Sequence, residues 1–219
     1  MLQDAVLSEF NVNIEALMAF DGGKWVWRGD PSGDFSIKSI RAIFCEAGQS
    51  LPPPWAFAWC KLIPLKVNLF MWRAVQNRVA TYDQLVKRGV QTTSVLCPLC
   101  GSMDESICHL LSGCSFSSAV WSLVASWVKI FNMFFFSVVD IVKAVDFLPL
   151  ENTTRMALCA ILFTTCWVIW LERNEAIFNK RQHSVNRVFN DIKSVSFHWV
   201  GNRLKSRKLS WEDWSAFKM

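Results

Sequence analysis

CPLCGSMDESICHLLSGC, Cys97 to Cys114, places four metal-binding side chains in 18 residues with the spacing C-x2-C-x8-H-x4-C. Zinc favours a closed tetrahedron of thiolate and imidazole, and a C-x2-C turn brings two sulfurs to one ion from a single tight loop. Cys97 and Cys100 supply that pair; His109 and Cys114 complete the shell from the following stretch. Four protein ligands leave no position for water or substrate, so the site reads as a structural Zn2+ clasp and not a Lewis-acid catalyst. His109 and Cys114 are five residues apart, which in one straight α-helix separates them by about 140°. The spacing therefore predicts a short helix from Asp104 or Glu105 that carries His109, ends at Gly113 in a left-handed turn, and leaves Cys114 just beyond. Cys108, beside His109, is the rival ligand; with the shell already closed, it is expected to face the core.

Upstream, Pro64 opens a helix on which Val67, Phe70, Met71, Ala74 and Val75 recur at i, i+3, i+4, i+7, i+8, a core-facing stripe. Trp72 and Arg73 lie off that stripe, where packing on a neighbouring element competes with stacking on a base. Thr81 with Gln84 forms a capping box and Gly89 a stop, predicting a helix over 82–88. Further upstream, WVWR (Trp25 to Arg28) and FSIK (Phe35 to Lys38) alternate in the strand manner around Asp30-Pro31-Ser32-Gly33-Asp34, which reads as a hairpin. Ser39 can cap a helix to about Ala47. GQSLPPP, Gly48 to Pro54, breaks the chain, since consecutive prolines cannot continue a helix, and Trp55 to Leu62 reads as a short apolar helix.

Downstream, Ala119 to Val145 reads as two amphipathic helices broken near Asn132. Met156 to Leu171 is 16 residues without a charge, just short of the roughly 17 to 20 that a spanning helix needs. With Thr164, Thr165, Cys159 and Cys166 inside it, a buried bundle helix is favoured over a membrane span. The fold class expected is mainly α: a small zinc-clasped helical domain with an N-terminal β-hairpin and a C-terminal helical extension.

Hydrophobic residues make up 52% of the 219-residue chain and charged residues 19%, which is too apolar for disorder. Twelve Trp and 17 Phe stand against one Tyr, an excess that points to surfaces covered by a protein partner or a missing domain. The opening MLQDAVLSEF shows no basic region followed by an apolar one, so a secretory signal is not visible and an intracellular chain, nuclear or cytoplasmic, is expected. In such a compartment thiols stay reduced, which favours metal ligation at Cys97 and Cys100 over disulfides. Cys45, Cys60, Cys159 and Cys166 read as inert core thiols.

Charge is uneven. Residues 1–172 hold 13 Lys/Arg against 14 Asp/Glu, and residues 173–219 hold 10 against 4. Within the first part, Lys61, Lys66, Arg73, Arg78, Lys87 and Arg88 face Asp83 alone. A basic stripe is the electrostatic footprint of RNA or DNA binding, and a solvated helix face is the plainer reading.

These elements in order resemble the plant reverse-transcriptase zinc-binding domain of LINE-type non-LTR retrotransposon polyproteins. The likeness rests on Trp25 and Trp27, GDFSIKS (Gly33 to Ser39), WAFAWCKLIPLKVNLFMWRAVQNRVATYDQLVKRG (Trp55 to Gly89), CPLC, an acidic residue before HLL, Cys114, and AVW (Ala119 to Trp121). WVIWLERNEAIFN (Trp167 to Asn179) is similar to the segment that precedes ribonuclease H in such polyproteins. The resemblance implies a Cys97, Cys100, His109, Cys114 zinc site, a retroelement origin, and engagement of nucleic acid during target-primed reverse transcription. It divides the chain into a lead segment at 1–19, the zinc-binding domain at 20–128, and a helical extension with a basic tail at 129–219.

No Y-x-D-D pair accompanies Tyr82, and Asp140, Asp146 and Asp191 do not read as a ribonuclease H cluster, which needs carboxylates converging on two ions about 4 Å apart. A P-loop and a G-x-S-x-G elbow are also missing from the sequence. The expectation is a non-enzymatic module with three open roles: RNA or DNA binding, protein interaction through exposed aromatics, and, least favoured, membrane association.

Overall fold

The computed structural model describes residues 18–34, 36, 39, 57, 59–92, 94–130, 133–204 and 209–218. The chain forms two compact units, residues 1–56 and 57–219. Mainly helical architecture with an N-terminal hairpin agrees with the expected class.

In the first unit, strand β1 (Met18–Asp21) pairs antiparallel with β2 (Lys24–Trp27). Gly22 and Gly23 between them have φ of 57° and 85°. A two-residue turn with both centres left-handed matches the strand twist, and glycine adopts it without strain. The hairpin expected around Asp30 to Gly33 needs Phe35 to Lys38, most of which lie outside the described residues; Trp25 to Trp27 pair with the strand before them, and the Trp27 N–H also donates to the Gly33 carbonyl at 2.8 Å. The Asp30–Gly33 turn does form, with the Gly33 N–H donating to the Asp30 carbonyl at 3.0 Å and the Asp30 carboxylate accepting from the Ser32 N–H at 2.9 Å. Trp27 is buried and its indole N–H donates to Ser39 Oγ at 2.8 Å. The helix expected after Ser39 and the proline break at 48–54 lie outside the described residues.

The second unit is built around one long helix. Helices α1 (Leu65–Val75), α2 (Tyr82–Lys87), α3 (Ser115–Val128), α4 (Val138–Lys143), α5 (Asn152–Phe178), α6 (Val185–Arg203) and α7 (Trp211–Ser215) follow in order, with a π-helical turn at His109–Gly113 between α2 and α3. Helix α5 touches α1, the π-helical turn, α3, α4 and α6. It is long and apolar enough to cross a membrane, yet 61% of its most apolar window is buried inside the fold. Ala157, Leu158, Ile161, Leu162 and Ile169 are core, and the hydroxyls of Thr164 and Thr165 are satisfied by the carbonyls one turn back. That is the arrangement of a core helix.

The stripe read on α1 is its buried face, with Val67, Phe70, Met71 and Ala74 inside and Asn68 buried among them. Asn68 explains why the residues before α1 are not helical where described: its Oδ1 accepts from the Cys60 N–H at 2.9 Å and its Nδ2 donates to the Cys60 carbonyl at 3.0 Å. The side chain imitates a strand partner and consumes both backbone groups that a helix there would use. Cys60 and Cys159 are not isolated thiols. Their interaction lowers the pKa of Cys60 and, with burial, raises that of Cys159, and the Cys60 thiol donates to the Met156 carbonyl at 3.8 Å.

Cations and rings join α1 to α5 in one ladder. Lys66 Nζ lies 5.6 Å from the Trp167 ring centre, Phe70 meets Trp167 edge-on and stacks on Trp170, and the Arg173 guanidinium lies 4.8 Å from Trp170 and 5.1 Å from Tyr82. Arg173 ends the ladder in a buried, bidentate ion pair with Glu105, Nε to Oε1 and Nη2 to Oε2, both at 2.7 Å. Glu105 Oε2 also accepts from the Tyr82 N–H at 2.8 Å, capping α2. The capping box expected at Thr81 and Gln84 is replaced: Thr81 is the N-cap but makes no side-chain cap bond, its hydroxyl going to Asp83 instead. A buried carboxylate needs every donor within reach, and the free N–H at the start of α2 is one of them. Gly89 ends α2 with φ of 75°, as expected.

Removing one partner of a buried pair strands the other charge, at about 3–5 kcal/mol. Arg173→Met should lower the unfolding free energy by about that amount in a urea titration. Arg173→Lys should recover only part of it, because an ammonium cannot span both carboxylate oxygens. A lysine variant as stable as the parent contradicts the bidentate role.

Candidate metal centre

Two short elements carry the four ligands. The first is a loop closed at its neck, where the Glu105 N–H donates to the Val95 carbonyl and the Cys97 N–H to the Met103 carbonyl, both at 2.8 Å, around a Leu96–Asp104 bridge. Cys97 to Cys100 turn at its tip: the Gly101 N–H donates to the Cys97 carbonyl at 2.8 Å, and Gly101 takes a φ of 66° that a side chain would disfavour. The Leu99 and Cys100 N–H groups point at the Cys97 sulfur.

The second element departs from the expected one. Asp104 and Glu105 do not start a helix; Ser106 does, its Oγ accepting from the His109 N–H at 3.1 Å. From His109 the helix widens to a π-helical turn closed by the Cys114 N–H on the His109 carbonyl at 2.6 Å, an i→i+5 bond. This answers the 140° problem. Five residues wound into a single turn bring His109 and Cys114 to one side, which a regular α-helix cannot do. Gly113 is not left-handed, so the expected stop at that residue is absent. Widening the turn leaves carbonyls without helical partners, and α3 supplies them: Ser117 Oγ donates to the Leu110 carbonyl at 2.5 Å and the Trp121 indole to the Leu111 carbonyl at 2.7 Å. Cys114 then serves as the N-cap residue of α3.

The four donor atoms of Cys97, Cys100, His109 and Cys114 lie within 4.8 Å of one another. Cys97 Sγ is 3.9 Å from Cys114 Sγ, and Cys100 Sγ is 3.3 Å from His109 Nε2. Zinc–sulfur bonds of about 2.3 Å and zinc–nitrogen bonds of about 2.0–2.1 Å give tetrahedral edges of about 3.8 Å and 3.6 Å. A disulfide needs sulfurs about 2.05 Å apart. The separations thus fit one tetrahedral cation and not a covalent bridge, and the donor set of three thiolates and one imidazole is that of structural zinc.

The Cys97 thiol donates to the Cys114 sulfur, which pulls Cys114 down to about 5 with help from the Ser117 and Phe116 N–H groups at the start of α3. The same bond, with burial, pushes Cys97 well above the usual thiol range. Zinc takes thiolates, so a proton held on these sulfurs must leave when the metal binds.

Cys108 is outside the donor group but exposed, against the expectation that it faces the core. It precedes the widened turn, whose geometry sends the His109 ring to the metal and leaves its neighbour outside. Lys61, Lys66, Arg73, Arg78, Lys87 and Arg88 are all exposed. They divide into Lys61 just before α1 with Lys66 and Arg73 on it, and Arg78, Lys87 and Arg88 near α2, where the Arg88 guanidinium donates to the Arg78 carbonyl at 3.1 Å. Trp72 is half-buried against the core, which settles it as a packing residue. The Glu105–Arg173 pair that braces the metal loop was missed. Its one signal is an arginine two residues past the end of an apolar run, with no indication of its partner 68 residues away.

Cys97→Ser and His109→Ala should each reduce zinc content from one per chain to none by atomic emission; one zinc retained in either contradicts the ligand set. Gly113→Ala should keep its zinc, since the added methyl would meet His109 Nδ1 at an ordinary 3.6 Å. Zinc binds deprotonated ligands, so affinity should fall as pH falls, and uptake by metal-free protein at neutral pH should acidify a weakly buffered solution. Uptake without proton release contradicts ligation by thiolates.

Residues 35–121 match the family described as zinc-binding in reverse transcriptase, a span that contains all four ligands and covers less than half of the chain. No curated protein and no solved structure matches. The metal centre accordingly lies within the span that matches the family described as zinc-binding in reverse transcriptase, and it is braced from outside that span by Arg173 of α5.

Proposed function

We propose that the chain is a non-catalytic zinc module, derived from a plant LINE-type reverse-transcriptase polyprotein, that engages RNA or DNA inside the cell through backbone electrostatics. The observation that carries this reading is the state of the six cations. All are exposed, α1 contains no acidic residue, and of these six only Lys87 forms an ion pair with a described residue, Asp83 at 3.8 Å. Phosphates are the complement of such a surface, and each one neutralised releases counterions. Zinc in this account holds the loop that holds Glu105, which in turn holds Arg173 and the ladder leading to Lys66. It acts on the basic face by fixing its scaffold.

A second reading keeps a specific observation of its own. Phe134, Phe136 and Phe147 are among the most exposed large apolar residues described, and they flank α4. A protein partner, or a ribonuclease H domain joined to the same polyprotein, would cover them.

Fluorescence anisotropy with labelled single-stranded RNA tests the first reading. Affinity should fall steeply between about 50 and 200 mM salt. The triple variant Lys61→Gln, Lys66→Gln, Arg73→Gln should flatten the log–log salt slope by about 2, at about 0.7 per single-strand phosphate contact. Absence of binding at low salt, or binding indifferent to salt, rejects the reading. Self-association that persists at high salt supports the second one.

A further inference from the structure

Resting on that reading, we infer that the bound nucleic acid is single-stranded and that Trp59 is the platform on which an unpaired base stacks. Trp59 is 48% exposed, yet its ring is held from behind. Phe57 meets it edge-on at 5.4 Å and 85°, and Phe57 in turn stacks at 5.7 Å on Phe163, a fully packed residue of α5. The backbone beneath is pinned too, because Asn68 takes both polar groups of Cys60. Cys60 faces inward, its thiol 3.8 Å from the Met156 carbonyl, while its neighbours Trp59 and Lys61 face water. A large ring displayed to solvent on a fixed support loses little conformational entropy when a ligand covers it.

The same Asn68 sets this segment against α1, whose outer stripe runs Leu65, Leu69, Arg73 at i, i+4, i+8, with Lys66 beside it. Leu65 is 65% exposed and Leu69 41%. The exposed residues of this segment and of α1 therefore include an aromatic ring and two leucines together with Lys61, Lys66 and Arg73, and no carboxylate occurs in α1. A duplex presents phosphates outward and hides its base faces, which would satisfy the cations and leave the ring and leucines against a charged backbone. A single strand offers both: phosphates for the cations and unstacked base faces for the apolar groups.

The test compares a labelled single strand of about 12 nucleotides with a duplex of the same length at one salt concentration. The parent protein should prefer the single strand. Trp59→Ala should weaken single-strand binding by about fivefold to a hundredfold while leaving duplex binding unchanged, and Trp59→Phe should restore part of the loss. Zinc content and a cooperative melt report whether each variant is folded. Independently of any variant, a photoreactive pyrimidine in the strand should crosslink to the peptide containing Trp59. Equal affinity for strand and duplex, or crosslinks confined to other peptides, overturns this inference and leaves the electrostatic reading intact. No binding to either nucleic acid overturns both.

Discussion

Closure of three sulfurs and one imidazole around a single cation is the constraint that the surrounding structure obeys. A tetrahedral shell with edges near 3.8 Å tolerates little displacement of its ligands. Cys97 and Cys100 arrive on a loop gripped at its neck, and His109 and Cys114 arrive on one helical element whose regular form would point them apart. The chain yields locally, by an i→i+5 turn, and α3 repairs the damage through Ser117 and Trp121. A helix distortion with its displaced carbonyls individually satisfied belongs to a site that needs the distortion. Structural zinc contributes on the order of 10 kcal/mol in small sites at neutral pH. That is ample to stabilise a turn that propensity alone would not select.

The metal does not hold the fold by itself. Its loop is tied to α5 by Glu105 and Arg173, and Arg173 is the last rung of a ladder that begins at Lys66 on the exposed basic face. Metal, ion pair and rings are thus in mechanical series along one side of α5. Burying a charge pair is expensive unless every hydrogen bond is made, and here the carboxylate is met by the guanidinium and the α2 N-terminus together. The same pair explains why the zinc loop and a helix beyond residue 150 lie in one compact unit.

Much of this was legible in the sequence, and its failures share a cause. The ligands, the core face of α1, the stop at Gly89 and the buried character of α5 all follow from local spacing or periodicity, which the sequence displays directly. The errors arose where a distant group overrode a local preference. Thr81 and Gln84 satisfy a capping rule, but Glu105 takes the position. Trp55 to Leu62 has helical composition, but Asn68 claims the Cys60 backbone. Gly113 sits where a left-handed stop is expected, but two ligands five apart require a wider turn. At the N-terminus, the Gly22-Gly23 turn and the strand before it carried no signal that the reading used, while the Asp30 to Gly33 turn did form.

Zinc K-edge absorption spectroscopy on the purified chain tests the central claim most directly, because it reads the donor atoms around the metal. The account predicts one zinc per chain in a four-coordinate shell of three sulfurs at about 2.3 Å and one nitrogen at about 2.0–2.1 Å. A shell rich in oxygen, a fifth light-atom ligand, or a metal-free chain that still melts cooperatively would contradict it.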